Sequence, residues 1–198
     1  LKNNIPCPKT YSFKEALSLK HDSYPLILKP VFGSSSKNVF KLENKKDLEY
    51  FYPKLEKSII QEFIMGEEFT ADTYFNFEGK LKCVVPRRRL EVRSGEVSKS
   101  ITIKDERLIK EIYKHFDKNN LFYGCVTIQC FKEKGNKFKF IEINPRFGGG
   151  YPLSFMAGAN FTKWILQETF GLKSEATQDC WKENIHMLRY DEEIILEN

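Results

Sequence analysis

The stretch KFIEINPRFGGG, residues 139–150, sets Glu142 and Asn144 two positions apart, then Arg146, then three glycines. Side chains alternate faces along a strand, so in an extended segment Glu142 and Asn144 point the same way, about 7 Å apart along the backbone. Gln129 lies upstream in YGCVTIQCFKE. If Lys134 to Lys137 form a four-residue loop, Gln129 stands opposite Glu142 on the same face. One carboxylate with two amide oxygens is a ligand set that a hard divalent cation such as Mg²⁺ accepts beside substrate phosphates. Arg146 would offer those phosphates a forked guanidinium. The same residues also suit a cross-strand polar pair on a solvated face followed by a plain turn, and this patch alone does not choose between the two.

Other groups suit the same chemistry. Lys29 is followed by Gly33, Ser34, Ser35, Ser36 and Lys37. Small residues let backbone N–H groups approach phosphate oxygens and the lysine adds a point charge, although a serine-rich hairpin tip has the same composition. The Walker A pattern and the glycine-rich and catalytic-loop signatures of protein kinases are missing. In IIQEFIMGEEF the adjacent amides of Glu62, Phe63 and Ile64 offer an edge to adenine, and Glu68 offers an acceptor to ribose hydroxyls; a connecting segment with exposed acids reads the same way. Arg87 and Arg89 share a strand face, either to hold an acidic substrate or as a solvated basic edge.

Elements that position these groups follow from periodicity and punctuation. Ser12 and Glu15 form a capping box before a helix over FKEALSL, with Phe13, Ala16 and Leu17 on one face. LILKPVF and VFKL predict a hairpin with a loose polar tip. Asn44 caps a helix that Pro53 ends or kinks. SIIQEFIMG is a short apolar piece stopping at Gly66. FTADTYFNF and KLKCVVPRRRLEV form a hairpin turning at Glu78 and Gly79, with Pro86 marking an edge or bulge. Asp105 caps ERLIKEIYKHF, whose Leu108, Ile109, Ile112 and Phe116 cover the sheet. YGCVTIQCFKE and KFKFIEINP make a further hairpin, a helical stretch through FTKWILQETF stops at Gly171, and HMLRYDEEIIL alternates as a last strand. The result is an α+β chain in two lobes, residues 1–63 and 64–198.

Composition bounds the function. With 41% hydrophobic and 30% charged residues the chain reads as a globular protein. The net charge of +5 is spread among alternating lysines and acids, which argues against nucleic acid as partner. No apolar run is long enough to span a bilayer and the start has no signal-peptide core, so a cytoplasmic location without membrane partner is expected. Cys7, Cys83, Cys125, Cys130 and Cys180 are expected as reduced thiols, and His21, His115 and His186 have no metal spacing.

The segments LILKPVFGSSSKNV, IIQEFIMGEEFTAD, TIQCF and KFIEINPRFGGG, in this order, resemble the ATP-grasp superfamily. They are most similar to the ATP-grasp domains of the carbamoyl-phosphate synthase large subunit and its stand-alone bacterial relatives, over about residues 5–170. IEINPRF downstream of IQ is the most specific part. The resemblance implies a fold of two mainly antiparallel lobes with covering helices. It implies ATP and Mg²⁺ as cofactors, and ligation of a small carboxylate to an amine or ammonia through an acyl phosphate. It makes Lys29 a phosphate ligand and catalytic group together with Arg146, and Gly33 with Ser34 the phosphate-covering loop. Glu62 and Ile64 take the adenine positions and Glu68 the ribose position. Arg93 stands where carbamoyl-phosphate synthases carry a histidine, in a segment that reaches the nucleotide. Gln129, Glu142 and Asn144 match the Mg²⁺ ligands, and Arg87 and Arg89 are assigned to the substrate. Members of the superfamily carry an N-terminal lobe before this region. A chain that starts at Leu1 without it is expected to be part of a longer ligase, with the absent lobe as its partner, a homodimer left open, and a non-catalytic nucleotide-binding module as the alternative.

Overall fold

A computed structural model describes residues 4–33, 37–93, 95–117, 121–190, 192 and 194–196. The chain forms two compact units, Leu1–Glu68 with Gln129–Glu142, and Phe69–Ile128 with Ile143–Asn198.

In the first unit, β1 (Thr10–Tyr11), β2 (Leu26–Pro30), β3 (Phe40–Leu42) and β4 (Ser58–Glu62) form an antiparallel sheet in the order β1-β4-β2-β3. Helices α1 (Phe13–Ser18) and α2 (Lys45–Phe51) accompany it. The capping box forms as expected, with Ser12 accepting from the Glu15 amide and Glu15 accepting from Ser12. Asn44 accepts from the Asp47 amide at 3.1 Å, and Pro53 falls in a single 3₁₀ turn that ends α2. Leu26 and Leu28 alternate into a core with Ala16, Leu42, Leu48 and Ile60, which turns Ile27 and Lys29 to the other face of β2. The predicted hairpin is β2 with β3, in register Leu26↔Leu42. Its tip includes Ser34 to Ser36, which lie outside the described residues.

The second sheet has the order β10-β7-β6-β5-β8-β9, built from β5 (Gly66–Phe75), β6 (Leu81–Arg93), β7 (Glu96–Thr102), β8 (Gly124–Glu133), β9 (Phe138–Asn144) and β10 (His186–Leu188). Its strands β5, β8 and β9 contribute residues to both units. Asp105 caps α3 (Glu106–Phe116) by accepting from the Arg107 and Leu108 amides, both at 3.1 Å, and α3 buries Leu108, Ile112 and Phe116. Helices α4 (Tyr151–Met156) and α5 (Phe161–Thr169) pack Tyr151, Phe161 and Trp164 onto Tyr74, Cys83, Val85, Cys125 and Trp181.

Four expectations change. VRSGEVSKSITI holds a full strand, β7, hairpinned to β6. Pro86 lies in an interior strand, paired with Ala71 of β5. Its carbonyl accepts from Ile103 just past the end of β7, and since N and C=O of one residue point to the same side, its missing donor falls where that ladder stops. The stretch after the glycines is two helices, broken at Gly158, whose φ of +120° suits only glycine and whose Cβ would lie 2.5 Å from the Cys180 carbonyl oxygen. The last strand is also short, ending at Leu188. The cysteines are free, with Cys83, Cys125 and Cys130 buried. No helix among the described residues is long and apolar enough to cross a membrane.

Candidate functional site

The first unit holds Lys29, Gly33, Glu62, Ile64, Glu68, Gln129 and Glu142. Lys29 stands half-buried near the end of β2. Burial holds its ammonium below the ordinary lysine range, and the negative charge of Glu142 pulls the other way. Those two opposite charges therefore feel each other within one unit. Gly33 is exposed beyond β2, and among the described residues a side chain there would meet the Pro30 ring, at 3.8 Å. Past the serines, Asn38 has φ 59°, the left-handed conformation that asparagine tolerates.

The Glu62 N–H donates to the Lys9 carbonyl at 2.9 Å, while its Oε1 accepts from the Lys9 amide and from Lys139 Nζ, both at 2.9 Å. Burial tends to raise its carboxyl, but the Lys9 amide and Lys139 outweigh that and hold it below the usual range. The Glu62 N–H is thus spent within the sheet. Phe63 and Ile64 lie between β4 and β5, with the Ile64 side chain buried. Glu68 is half-buried on β5.

The β8–β9 hairpin turns through Lys134–Lys137, and Glu133 donates to the Lys137 carbonyl at 2.8 Å. Gln129 sits on β8 half-buried, and Glu142 on β9 exposed. Asn144 follows two positions along β9, within the second unit. No group of three His, Cys, Asp or Glu gathers among the described residues. Gln129 and Glu142 offer an amide and a carboxylate oxygen in the first unit, and Asn144 an amide oxygen in the second. Donors of these types suit a hard cation rather than Zn²⁺.

In the second unit the Asn144 carbonyl accepts from the Arg146 amide at 2.8 Å, turning the chain out of β9. The Arg146 side chain is exposed, with Nη1 donating to the Phe147 carbonyl at 3.1 Å. Beneath this turn lies a buried polar group. Arg87 Nε and Nη2 donate to the two oxygens of Asp72 at 2.8 and 3.1 Å, with Arg87 1% and Asp72 0% exposed. Ser154 donates to Asp72 Oδ2 at 2.6 Å. The Thr127 hydroxyl lies 3.0 Å from the Arg146 carbonyl and 3.4 Å from Asp72 Oδ1.

Arg87 is therefore neither a solvated strand edge nor presented to a substrate, because its guanidinium is sealed and claimed by Asp72. Arg89 is half-buried and Nη2 donates to the Gly95 carbonyl in the β6–β7 turn at 3.0 Å. Arg93 is exposed at the end of β6, opposite Glu96. Asp72, Thr127 and Ser154 escaped the sequence reading. The available signal was Asp72 itself, an acid inside the apolar run FTADTYF, which cannot be buried there without a cation and donors.

The two antiparallel sheets with covering helices are those of an ATP-grasp protein. Biotin carboxylase from Campylobacter jejuni is similar at TM-score 0.74 and 18% identity, over 93% of this chain and 47% of that one. The biotin carboxylase domain of Hydrogenobacter thermophilus 2-oxoglutarate carboxylase, solved with MgADP and bicarbonate, is similar at TM-score 0.72 and 16% identity, over 93% and 46%. Carboxyaminoimidazole ribonucleotide synthase from Aspergillus clavatus, solved with ATP, follows at TM-score 0.69 and 14% identity, over 89% and 50%. Identities this low establish the fold. A family model described as ATP-grasp in the biosynthetic pathway with Ter operon matches residues 54–192, and the chain belongs to that family. D-alanine–D-alanine ligase of Fusobacterium nucleatum subsp. nucleatum is 41% identical over 66 residues, which are 33% of this chain and 22% of the ligase. The chain spans about half the length of the solved structures it matches.

Proposed function

We propose that the chain is the nucleotide- and Mg²⁺-binding part of a ligase that joins a small carboxylate, or bicarbonate, to an amine or ammonia. The reaction runs through an acyl phosphate, as in carbamoyl-phosphate synthases. Residues 1–63 supply the phosphate-covering turn and residues 64–198 the metal-bearing strands. The observation that carries the reading is the half-buried Lys29 with Glu142 as its charge neighbour, in a chain that belongs to an ATP-grasp family. A lysine that has given up part of its hydration gains strongly from a phosphate.

In this reading Gln129, Glu142 and Asn144 hold Mg²⁺, which when bound draws charge off the terminal phosphates. Lys29 and Arg146 contact those phosphates. Gly33 and Ser34 cover them, the linker at Ile64 borders the base, and Glu68 accepts from ribose. The carboxylate substrate attacks the γ-phosphorus, and the chain's contribution is position and charge with no protein nucleophile. Arg89 is assigned to the acidic substrate or acyl phosphate, and Arg93 to the nucleotide.

The test is phosphate release by the full-length protein, screened with amino acids and small carboxylates. Turnover is expected to need both a carboxylate and an amine and to collapse in Glu142→Ala, which removes the one carboxylate of the donor set. A Glu142→Ala protein that is folded by circular dichroism and retains near-normal turnover refutes the metal assignment. Nucleotide binding without turnover in any pairing favours a non-catalytic module.

A further inference from the structure

The turn from Arg146 to Gly150 is held at three points by side chains that the proposed chemistry does not use. At its start, Thr127 has one hydroxyl proton and two acceptors, and 3.0 Å to the Arg146 carbonyl is an ordinary bond, whereas 3.4 Å to Asp72 is at the outer limit. The proton therefore serves Arg146. At its end, Ser154 in the following helix is fastened to Asp72 at 2.6 Å. At its last residue, Gly150 lies directly on Arg87. A Cβ there would overlap Nη1 and come within 2.8 Å of Cζ. Nη1 is buried and has no hydrogen-bond partner among the described residues. A Cβ at Gly148 would stand 2.9 Å from Thr127 Oγ1.

Stability alone is a poor explanation for this arrangement. A buried ion pair costs about as much in lost hydration as it returns, and an apolar pair of the same volume does as well or better. What a bidentate pair supplies is direction, since the guanidinium plane is fixed by two bonds to Asp72 and the backbone of Gly150 rests against it.

We propose that Asp72, Arg87, Thr127 and Ser154 are positioning residues for Arg146, setting the path of the Arg146–Gly150 turn and thereby the place where its guanidinium meets the phosphates. This rests on the reading of Arg146 as a phosphate contact. The glycines of the motif are then needed for the space taken by Arg87 and Thr127.

The deciding pair of variants is Thr127→Val, which keeps the shape and loses the hydroxyl, and Thr127→Ser, which keeps the hydroxyl. Hydrogen exchange is followed at the amides of Tyr151 and Leu153, which donate to Gly148 and Gly150. Thr127→Val is expected to exchange about fivefold faster there, the equivalent of one net hydrogen bond, with Thr127→Ser like the wild type. In the full-length protein kcat is expected to fall on the order of tenfold or more in Thr127→Val with the KM for ATP held, and to recover in Thr127→Ser. Unchanged exchange in Thr127→Val, or a Thr127→Ser as impaired as Thr127→Val, overturns the proposal. If Thr127→Val does not fold, Ser154→Ala takes its place with the same expectation. A wild-type protein that shows neither Mg·ATP-dependent stabilisation nor turnover overturns the ligase reading. The exchange contrast still decides on its own whether Thr127 holds the turn.

Discussion

Gly150→Ala isolates the buried contact. The Gly150 backbone, at φ −94° and ψ 1°, lies in the bridge region that non-glycine residues adopt in turns, so the conformational penalty of an alanine there is small beside a clash. Its methyl group, however, would overlap Arg87 Nη1, lie 2.8 Å from Cζ and sit 3.0 Å from Val97 Cγ1. The arginine cannot swing aside without abandoning Asp72, which is fully buried and would be left charged. Overpacking alone costs about 1–3 kcal/mol, and separating a buried pair about 3–5, so roughly 3 kcal/mol is expected. At about 2–4 °C per kcal/mol this lowers the melting temperature by roughly 6–12 °C. Gly149→Ala is the control, since its nearest atoms, Glu96 Oε2 and Arg189 Nη2, lie at 3.5 and 3.6 Å. Its stability is expected within about 0.5 kcal/mol of wild type. Thermal and urea denaturation of both variants measure the difference. A Gly150→Ala protein that melts with Gly149→Ala would refute the claim that the pair occupies that space.

Further outcomes follow from single contacts. Because burial lowers the Lys29 pKa, with Glu142 opposing, its charge disappears at a lower pH than that of an exposed lysine. Mg·ATP affinity by calorimetry should therefore weaken on raising the pH before an exposed lysine would lose its charge, and Lys29→Arg should stay flat. For the unliganded fold the sign is opposite: between the lowered folded value and the unfolded one the unfolded chain holds more protons, so stability from this group rises with pH. Asp105→Ala removes the acceptor of two helix-end amides at 3.1 Å and should cost about 1 kcal/mol in urea denaturation.

Local signals were readable where one residue decides an outcome. Ser12 with Glu15 and Asp105 ahead of an apolar face name helix starts directly, and a Gly or Asn between alternating runs names a turn. Strand alternation places Glu142 and Asn144 on one face of β9, as the extended reading of IEINP expects. Arg87 was misread because alternation tells which residues share a face and not whether that face is wet. Its partner Asp72 lies on a neighbouring strand, and only the pairing Asp72↔Val85, two residues from Arg87, brings them together. Strand β7 escaped because EVSKSIT mixes serines and a lysine into its length, yet its small polar residues Ser98, Ser100 and Thr102 are buried through bonds to backbone carbonyls. The helix break at Gly158 depends on a carbonyl from Cys180, which no local window contains.

Neither compact unit is a continuous stretch of chain. The first includes Gln129–Glu142, and the second needs Trp181 in its core and β10 paired with β7, some ninety residues earlier in sequence. The core cluster of the first unit lies wholly between Ala16 and Ile60, so it can gather early in synthesis from the N-terminus. That of the second cannot: the buried Asp72–Arg87 pair must wait for Ser154, and the core around Tyr74 for Trp181. Such late, long-range closure slows folding and prolongs exposure of open strand edges to other chains.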